Sequence, residues 1–223
     1  MFDFEVSFIN EEFDAARVSP DQLDALLASG WRHFGTQFFR YNFALYQFDI
    51  RRVIPLRIRL ADFTFSRSQR RVLRRNQDLE TVVRPIEITT NSEFLFHRHK
   101  QRFNHGVPDS IYDFLSREPA VSPTEANEVA VFHGGRLVAV SYFDIGTSAV
   151  SGIYAMFEPT LNSRSLGIFT LLKEIEFAIG SGKRFYYLGY AYEGESFYDY
   201  KKRFRATEEF DWKGEWKKVQ SAG

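Results

Sequence analysis

Arg164-Ser165-Leu166-Gly167 stands between an apolar run that ends at Phe157 and a helical stripe that begins at Ile168. A loop entering a helix offers free N–H groups and the positive end of the helix dipole, which together attract an anion. Arg164, Ser165 and Gly167 are therefore candidate ligands for a phosphate-bearing acyl donor. The alternative is a surface arginine and a glycine that lets helix and sheet approach. Downstream, Tyr187, Tyr190 and Tyr192 alternate around Gly189. A phenol there serves as a proton donor or as a ring that stacks on a base, which makes Tyr190 and Tyr187 the candidate catalytic residues. Core tyrosines with satisfied hydroxyls are the competing reading. Side chains alternate along a strand, so Tyr187 shares the Tyr190 face only if Gly189 carries a bulge. The run Asp199-Tyr200-Lys201-Lys202-Arg203, with Arg205, supplies Lys201, Arg203 and Arg205 as candidates for holding a phosphate or an acidic side chain. A solvated charged face is the ordinary reading of such a run.

The formal net charge of zero conceals a segregation. Arg51 to Arg75 holds nine Arg and one Asp, so the rest of the 223 residues carries the compensating acidity. Arg67, Arg70, Arg71, Arg74 and Arg75 crowd nine positions with no acidic neighbour, and they repel one another unless a polyanion neutralises them. They are the candidate nucleic-acid contacts. The chain has no Cys, which excludes disulfides, thiolate catalysis and Cys-ligated zinc. His97, His99 and His105 are poorly spaced for a shared metal, and none is expected. Glu158, Asp144 and Glu193 fall near expected strand ends, and each is a candidate to steer an incoming amine. No apolar run is long enough to span a bilayer and no signal peptide is apparent, so a soluble cytoplasmic protein is expected.

These groups need elements to position them. Ser19-Pro20-Asp21-Gln22 opens a helix that Gly30 stops. Trp31 to Tyr46 reads as strand or strand and loop. Val53–Leu60 alternates apolar residues with Arg57 and Arg59, predicting a half-buried strand with both arginines on its wet face and, from Pro55, an edge position. Ser66–Asp78 predicts a helix capped by Ser66 or Ser68, Thr90–Phe103 an amphipathic helix, and Ser110–Leu115 a shorter one. Asn127–Asp144 is a hairpin turned by Gly134-Gly135, followed by a third strand over Ser148–Phe157. A helix over Ser165–Ile179 then crosses to a strand over Arg184–Tyr192 that returns beside the third. The expected class is α+β, a mixed sheet with flanking helices. The expected division is a smaller α/β subdomain over residues 1–84, with the basic helix, and a catalytic domain over 85–223.

Hairpin, strand, R-x-x-G loop, helix and strand, in that order, resemble the acyltransferase fold known as GNAT. In that fold a longer Gly-containing loop wraps the pyrophosphate of coenzyme A. Here Ile168 and Phe169 stand where a coenzyme A binder has another small residue. The words of the sequence resemble a narrower group. SRSQRRVLRRNQDL at Ser66–Leu79 is similar to the basic helix of the aminoacyl-tRNA–protein transferases. RSLGIFTLLKEIEFAI at Arg164–Ile179, with YYLGYAYEG and YDYKKRFR, is similar to their catalytic region. That group comprises the arginyl-tRNA–protein transferases and the bacterial aspartate/glutamate leucyltransferases, and the resemblance runs from about Gln22 to Phe210. Its usual Cys-rich element would fall at Tyr41–Val53, where this chain has none. Aromatic packing is expected to hold that stretch instead.

The resemblance implies transfer of Leu or Arg from charged tRNA to the N-terminal amine of proteins that begin with Asp or Glu, in the N-degron pathway. Aminoacyl-tRNA is then the co-substrate, and with no Cys and no apolar span in the chain no other cofactor, metal or membrane is expected. An amine with an unperturbed pKa of about 7.7–8.0 is already partly neutral, so the reaction needs alignment and oxyanion donors more than a strong base. Two other readings stay open. One is a coenzyme A-dependent N-acyltransferase, and the other is a catalytically silent relative that binds tRNA or a degron.

Overall fold

The computed structural model describes residues 7–104 and 106–219, so His105 of the histidine set lies outside the described residues. The chain runs β1 (Asn10–Asp14), α1 (Pro20–Ala28), β2 (Arg32–Phe34), β3 (Gln37–Tyr41), β4 (Phe43–Tyr46) and β5 (Asp49–Arg59). Next come α2 (Arg67–Arg75), β6 (Glu80–Pro85), α3 (Thr90–Lys100), β7 (Ala126–His133), β8 (Arg136–Ile145) and β9 (Ala149–Phe157). It closes with α4 (Leu166–Gly180), β10 (Phe185–Tyr192), β11 (Thr207–Phe210) and β12 (Trp216–Lys218).

Local sequence explains most of these boundaries. Ser19 with Gln22 and Ser66 with Gln69 form reciprocal capping boxes at the starts of α1 and α2, as their spacing predicts. Gly134 and Gly135 both take positive φ, 58° and 76°, which a two-residue turn matched to the sheet twist requires. Ser110–Leu115 yields only a single 3₁₀ turn at Ile111–Asp113, opened by the same kind of reciprocal cap between Ser110 and Asp113.

The large sheet has the order β12-β11-β5-β10-β9-β8-β7-β6, with β4 added to β5; β10 and β9 are its parallel pair. Alternate residues of β7 and β8 go to opposite faces. Val129, Val131, Ala139 and Phe143 pack under α4, and Ala126, Ala130, Val140 and Tyr142 pack under α3. Val72 and Leu73 of α2 join the α4 side, leaving the arginines outward. β1, β3 and β2 form a separate small sheet.

β5 departs from expectation. It lies inside the sheet, between β10 and β11, and is not an edge strand. Pro55 is tolerated there because β4 covers residues 49–52 and β11 covers 56–58, so Pro55 falls in the gap between them. Arg57 is buried, not on a wet face: β11 brings Glu208 alongside, and the guanidinium lies between the rings of Phe185 (3.9 Å) and Trp216 (4.2 Å). The Cys-free stretch folds as the β4–β5 hairpin, with the Tyr46 ring 4.7 Å from that of Tyr192.

Candidate active site

β9 and β10 pair only at Ala149–Ser151 against Phe185–Tyr187, although both run on for several residues. Two bulges force them apart. One falls between Tyr187 and Gly189, where β10 meets β5, with Gly189 at φ +82°. The other falls opposite Tyr142 and Phe143, where β9 meets β8, between Gly152 and Tyr154. Each bulge bends its strand at the point where the pairing ends. The result is a wedge at the carboxyl ends of the parallel pair, the position where α/β sheets receive ligands. The first bulge also does what the spacing required. Tyr187, Tyr190 and Tyr192 all oppose odd-numbered β5 residues (Arg57, Pro55, Val53) and so share a face.

Strands that part leave main-chain carbonyls without a ladder partner. Arg32, from β2, bonds the Gly152 carbonyl through Nη2 and the Ser151 hydroxyl through Nη1. Lys201 Nζ bonds the Tyr190 carbonyl at 2.9 Å. A Cβ built on Gly189 would lie 3.4 Å from Lys201 Nζ and 3.7 Å from Arg32 Nη2, so both cations flank one bare stretch of backbone. Neither has a carboxylate at ion-pair distance among the described residues. Burial, and next the charge of Arg32, push the Lys201 ammonium down to about 7. Behind them the buried Tyr186 hydroxyl donates to Glu174 Oε2. Burial raises the Glu174 carboxyl to about 8, so it is mostly protonated at neutral pH and leaves the wedge positive.

Gly152 makes that arrangement possible, since a Cβ there would meet the Tyr186 hydroxyl at 2.7 Å. Gly152→Ala is expected to cost about 1–3 kcal/mol through overpacking, and Tyr186→Phe in the same chain to recover part of it, less what the unpaired Glu174 oxygen loses. Urea melts of the two variants test this, and an undiminished stability for Gly152→Ala would contradict the contact.

The remaining sequence candidates divide into groups. The Tyr190 hydroxyl donates to the Gly30 carbonyl at 2.7 Å, and burial raises its pKa strongly. The Tyr187 hydroxyl accepts from Arg57 at 3.3 Å. Arg164 forks onto Asp78 (2.8 and 2.9 Å), Ser165 is the left-handed entry to α4 with no side-chain cap, and a Cβ on Gly167 would meet the Phe157 ring at 3.1 Å. Arg67, Arg70, Arg71, Arg74 and Arg75 are all exposed, and none pairs with a carboxylate among the described residues. The fold brings this cluster to the loop: Arg75 bonds the Ser163 carbonyl, and Asn76 bonds that of Arg164 at 3.0 Å. Arg203 is exposed, and Arg205 bonds the Thr64 hydroxyl at 2.9 Å.

Among the acidic candidates, Glu158 is held by Arg98 and Arg136, and Asp144 by His33 and Thr124; Glu193 is exposed. His99 bonds the Phe157 backbone and is lowered to about 4 by burial. Among the described residues no group of His, Cys, Asp and Glu could hold a metal, and no helix is long and apolar enough to cross a membrane. Arg32 escaped the sequence reading. It lies 119 positions from Ser151 in a stretch with no pattern of its own, and no local signal marks it.

Residues 90–211 match the family model "Arginine-tRNA-protein transferase, C terminus". The chain is 36% identical over 175 residues to an aspartate/glutamate leucyltransferase of Xanthomonas campestris pv. campestris, spanning 74% of this chain and 69% of that protein. An enzyme of the same name from Pseudoalteromonas atlantica is 26% identical over 217 residues, 93% of this chain and 91% of that one. Among solved structures the chain resembles FemX, with a TM-score of 0.50 and 12% identity over 84% of this chain and 65% of that one. That likeness concerns the fold alone, a GNAT-like mixed sheet with flanking helices.

Proposed function

The chain belongs to the arginine-tRNA–protein transferase family, and on that premise we propose that it moves leucine from charged tRNA to the N-terminal amine of polypeptides beginning with Asp or Glu. The reaction takes place in the cytoplasm, tags those polypeptides for degradation, and uses aminoacyl-tRNA as its only co-substrate. The observation that carries this reading is the wedge: two cations without a carboxylate partner, held at the open ends of two parallel strands. Both cations are half-buried, and charge partly withdrawn from water without a counter-ion is stabilised by a ligand that completes it. The acidic side chain of the acceptor completes it at Arg32 and Lys201.

The donor approaches from the other flank. α2 and the Arg164 loop form one basic surface beside the uncapped start of α4, suited to the phosphates near a tRNA 3′ end. The acceptor amine then meets the aminoacyl ester in the wedge. Its nitrogen bonds to the ester carbonyl carbon, the bond to the ribose oxygen breaks, and the proton lost by the amine ends on that oxygen. The protein supplies chiefly alignment, and the protonated Glu174 adds no negative charge to repel the acceptor.

The direct test presents labelled Leu-tRNA and Arg-tRNA with peptides starting in Asp, Glu or Ala. Transfer of Leu to the Asp and Glu peptides alone is expected, and transfer to no peptide from either tRNA would overturn the reading. Arg71→Glu with Arg74→Glu is expected to raise KM for tRNA while sparing saturating kcat. It should also flatten the salt dependence of binding, by about 0.7 for each single-strand phosphate that is no longer neutralised. An unchanged salt slope would remove α2 from the tRNA surface.

A further inference from the structure

The β4–β5 hairpin reaches past the carboxyl end of β10, and its turn is formed by Gln47 and Phe48 at φ 50° and 70°, both in the left-handed region. That turn leaves Phe48 97% exposed, beside the cross-strand neighbours Leu45 (70%) and Ile50 (77%). Ile50 lies on the same strand face as Ile54, Leu56 and Ile58, which pack into the core beneath α4. Arg52 interrupts that face, so Leu45, Phe48 and Ile50 form a separate apolar tip that no described residue covers.

From this we infer that the hairpin tip docks an extended apolar segment of the acceptor polypeptide, downstream of its reacting N-terminus. The inference rests on the transfer reaction proposed above. Three observations select this occupant. The tip is continuous with the wedge, since β5 opposes β10 from the Gly189 bulge to Tyr192, and Tyr46 bonds the backbone of Phe197 in the same 3₁₀ turn as Lys201. Its charge does not favour nucleic acid: the exposed Asp49, Glu193 and Glu195 balance Arg51, Arg52 and Lys202, and Arg51 is engaged by Asp49 at 3.7 Å, the Tyr46 ring and the Glu195 carbonyl. The exposed arginines that pair with no carboxylate among the described residues cluster instead on α2, so the two partners have separate approaches. The reach also fits. Tyr190, whose carbonyl holds Lys201, opposes Pro55, and Phe48 stands seven residues further along that strand. At about 3.3 Å per residue that is roughly 23 Å, which places the docked segment at about the sixth to ninth acceptor residue.

The test compares acceptor peptides of about twelve residues that begin with Asp and carry Leu and Phe, or Ser, at the sixth to ninth positions. Wild type is expected to show a KM roughly tenfold lower for the apolar peptide, the effect of one or two partly buried anchors. Phe48→Ser with Leu45→Ser should erase that difference without changing kcat or the KM of a four-residue acceptor. Peptide binding is read by fluorescence anisotropy alongside transfer. Absence of transfer with Phe48-dependent binding fails the reaction and upholds the surface. Transfer with KM and binding indifferent to Phe48 overturns the surface and leaves the reaction standing. Phe48-dependent sedimentation with anionic vesicles, or a Phe48-dependent dimer, without an effect on KM also overturns it.

Discussion

Glu208→Ala is expected to lower the free energy of unfolding by about 3–5 kcal/mol, among the largest single-residue effects the fold allows. Glu208 is 2% exposed and accepts from Arg57 Nε at 2.8 Å through one oxygen and from Arg59 at 2.6 and 2.9 Å through the other. Arg59 is half exposed and can turn to water. Arg57 cannot, because Phe185 and Trp216 enclose its guanidinium; the Tyr187 hydroxyl would be its remaining polar side-chain partner, at 3.3 Å. Removing the carboxylate therefore strands a charge in the seam joining β11 to β5. Arg57→Met added to Glu208→Ala should restore much of the stability, since a hydrophobic replacement of both partners removes the stranded charge. Urea melts decide it: a loss under about 1 kcal/mol for Glu208→Ala would mean the pair is as weak as a surface ion pair.

The same pair shows what the sequence left hidden. Local physics was readable: the caps at Ser19 and Ser66, the Gly134-Gly135 turn, the stripe of α4, and the condition that Gly189 bulge if three tyrosines are to share a face. Each of these is decided within a few residues by hydrogen bonding or φ. The alternation in Val53–Leu60 was equally plain, yet it misplaced Arg57, because whether that face is wet depends on a strand about 150 positions away. Arg32 and Lys201 illustrate the same limit at the site. Lys201 stood out as part of a charge run, whereas its meeting with Arg32 follows from two bulges and the parting of two strands. The donor side was more legible, since five arginines in nine residues announce a polyanion whatever the fold.

Lys201→Met should reduce kcat/KM for Asp-initiated acceptors by roughly two orders of magnitude, the usual effect of deleting one partner from a desolvated charge contact. Transfer to any acceptor at saturation should suffer less, because the lysine is assigned to holding the acidic side chain. The pH dependence separates this role from that of a general base. The ammonium sits at about 7 in the free protein, so its cationic fraction falls as pH rises through that value. Since kcat/KM reads the ionisations of free enzyme and free substrate, it should carry a descending limb near pH 7. An ascending limb from the acceptor amine, with pKa about 7.7–8.0, opposes it and narrows the optimum. Lys201→Arg keeps the charge at every accessible pH, so the descending limb near pH 7 should vanish and the profile should rise to about pH 8, where ionisation of Glu174 begins to oppose it. A lysine acting as base predicts the reverse: activity that climbs through pH 7 in the wild type, and none in Lys201→Arg. That outcome would move Lys201 from the acceptor's carboxylate to its amine and leave Arg32 as the cation for the acidic side chain.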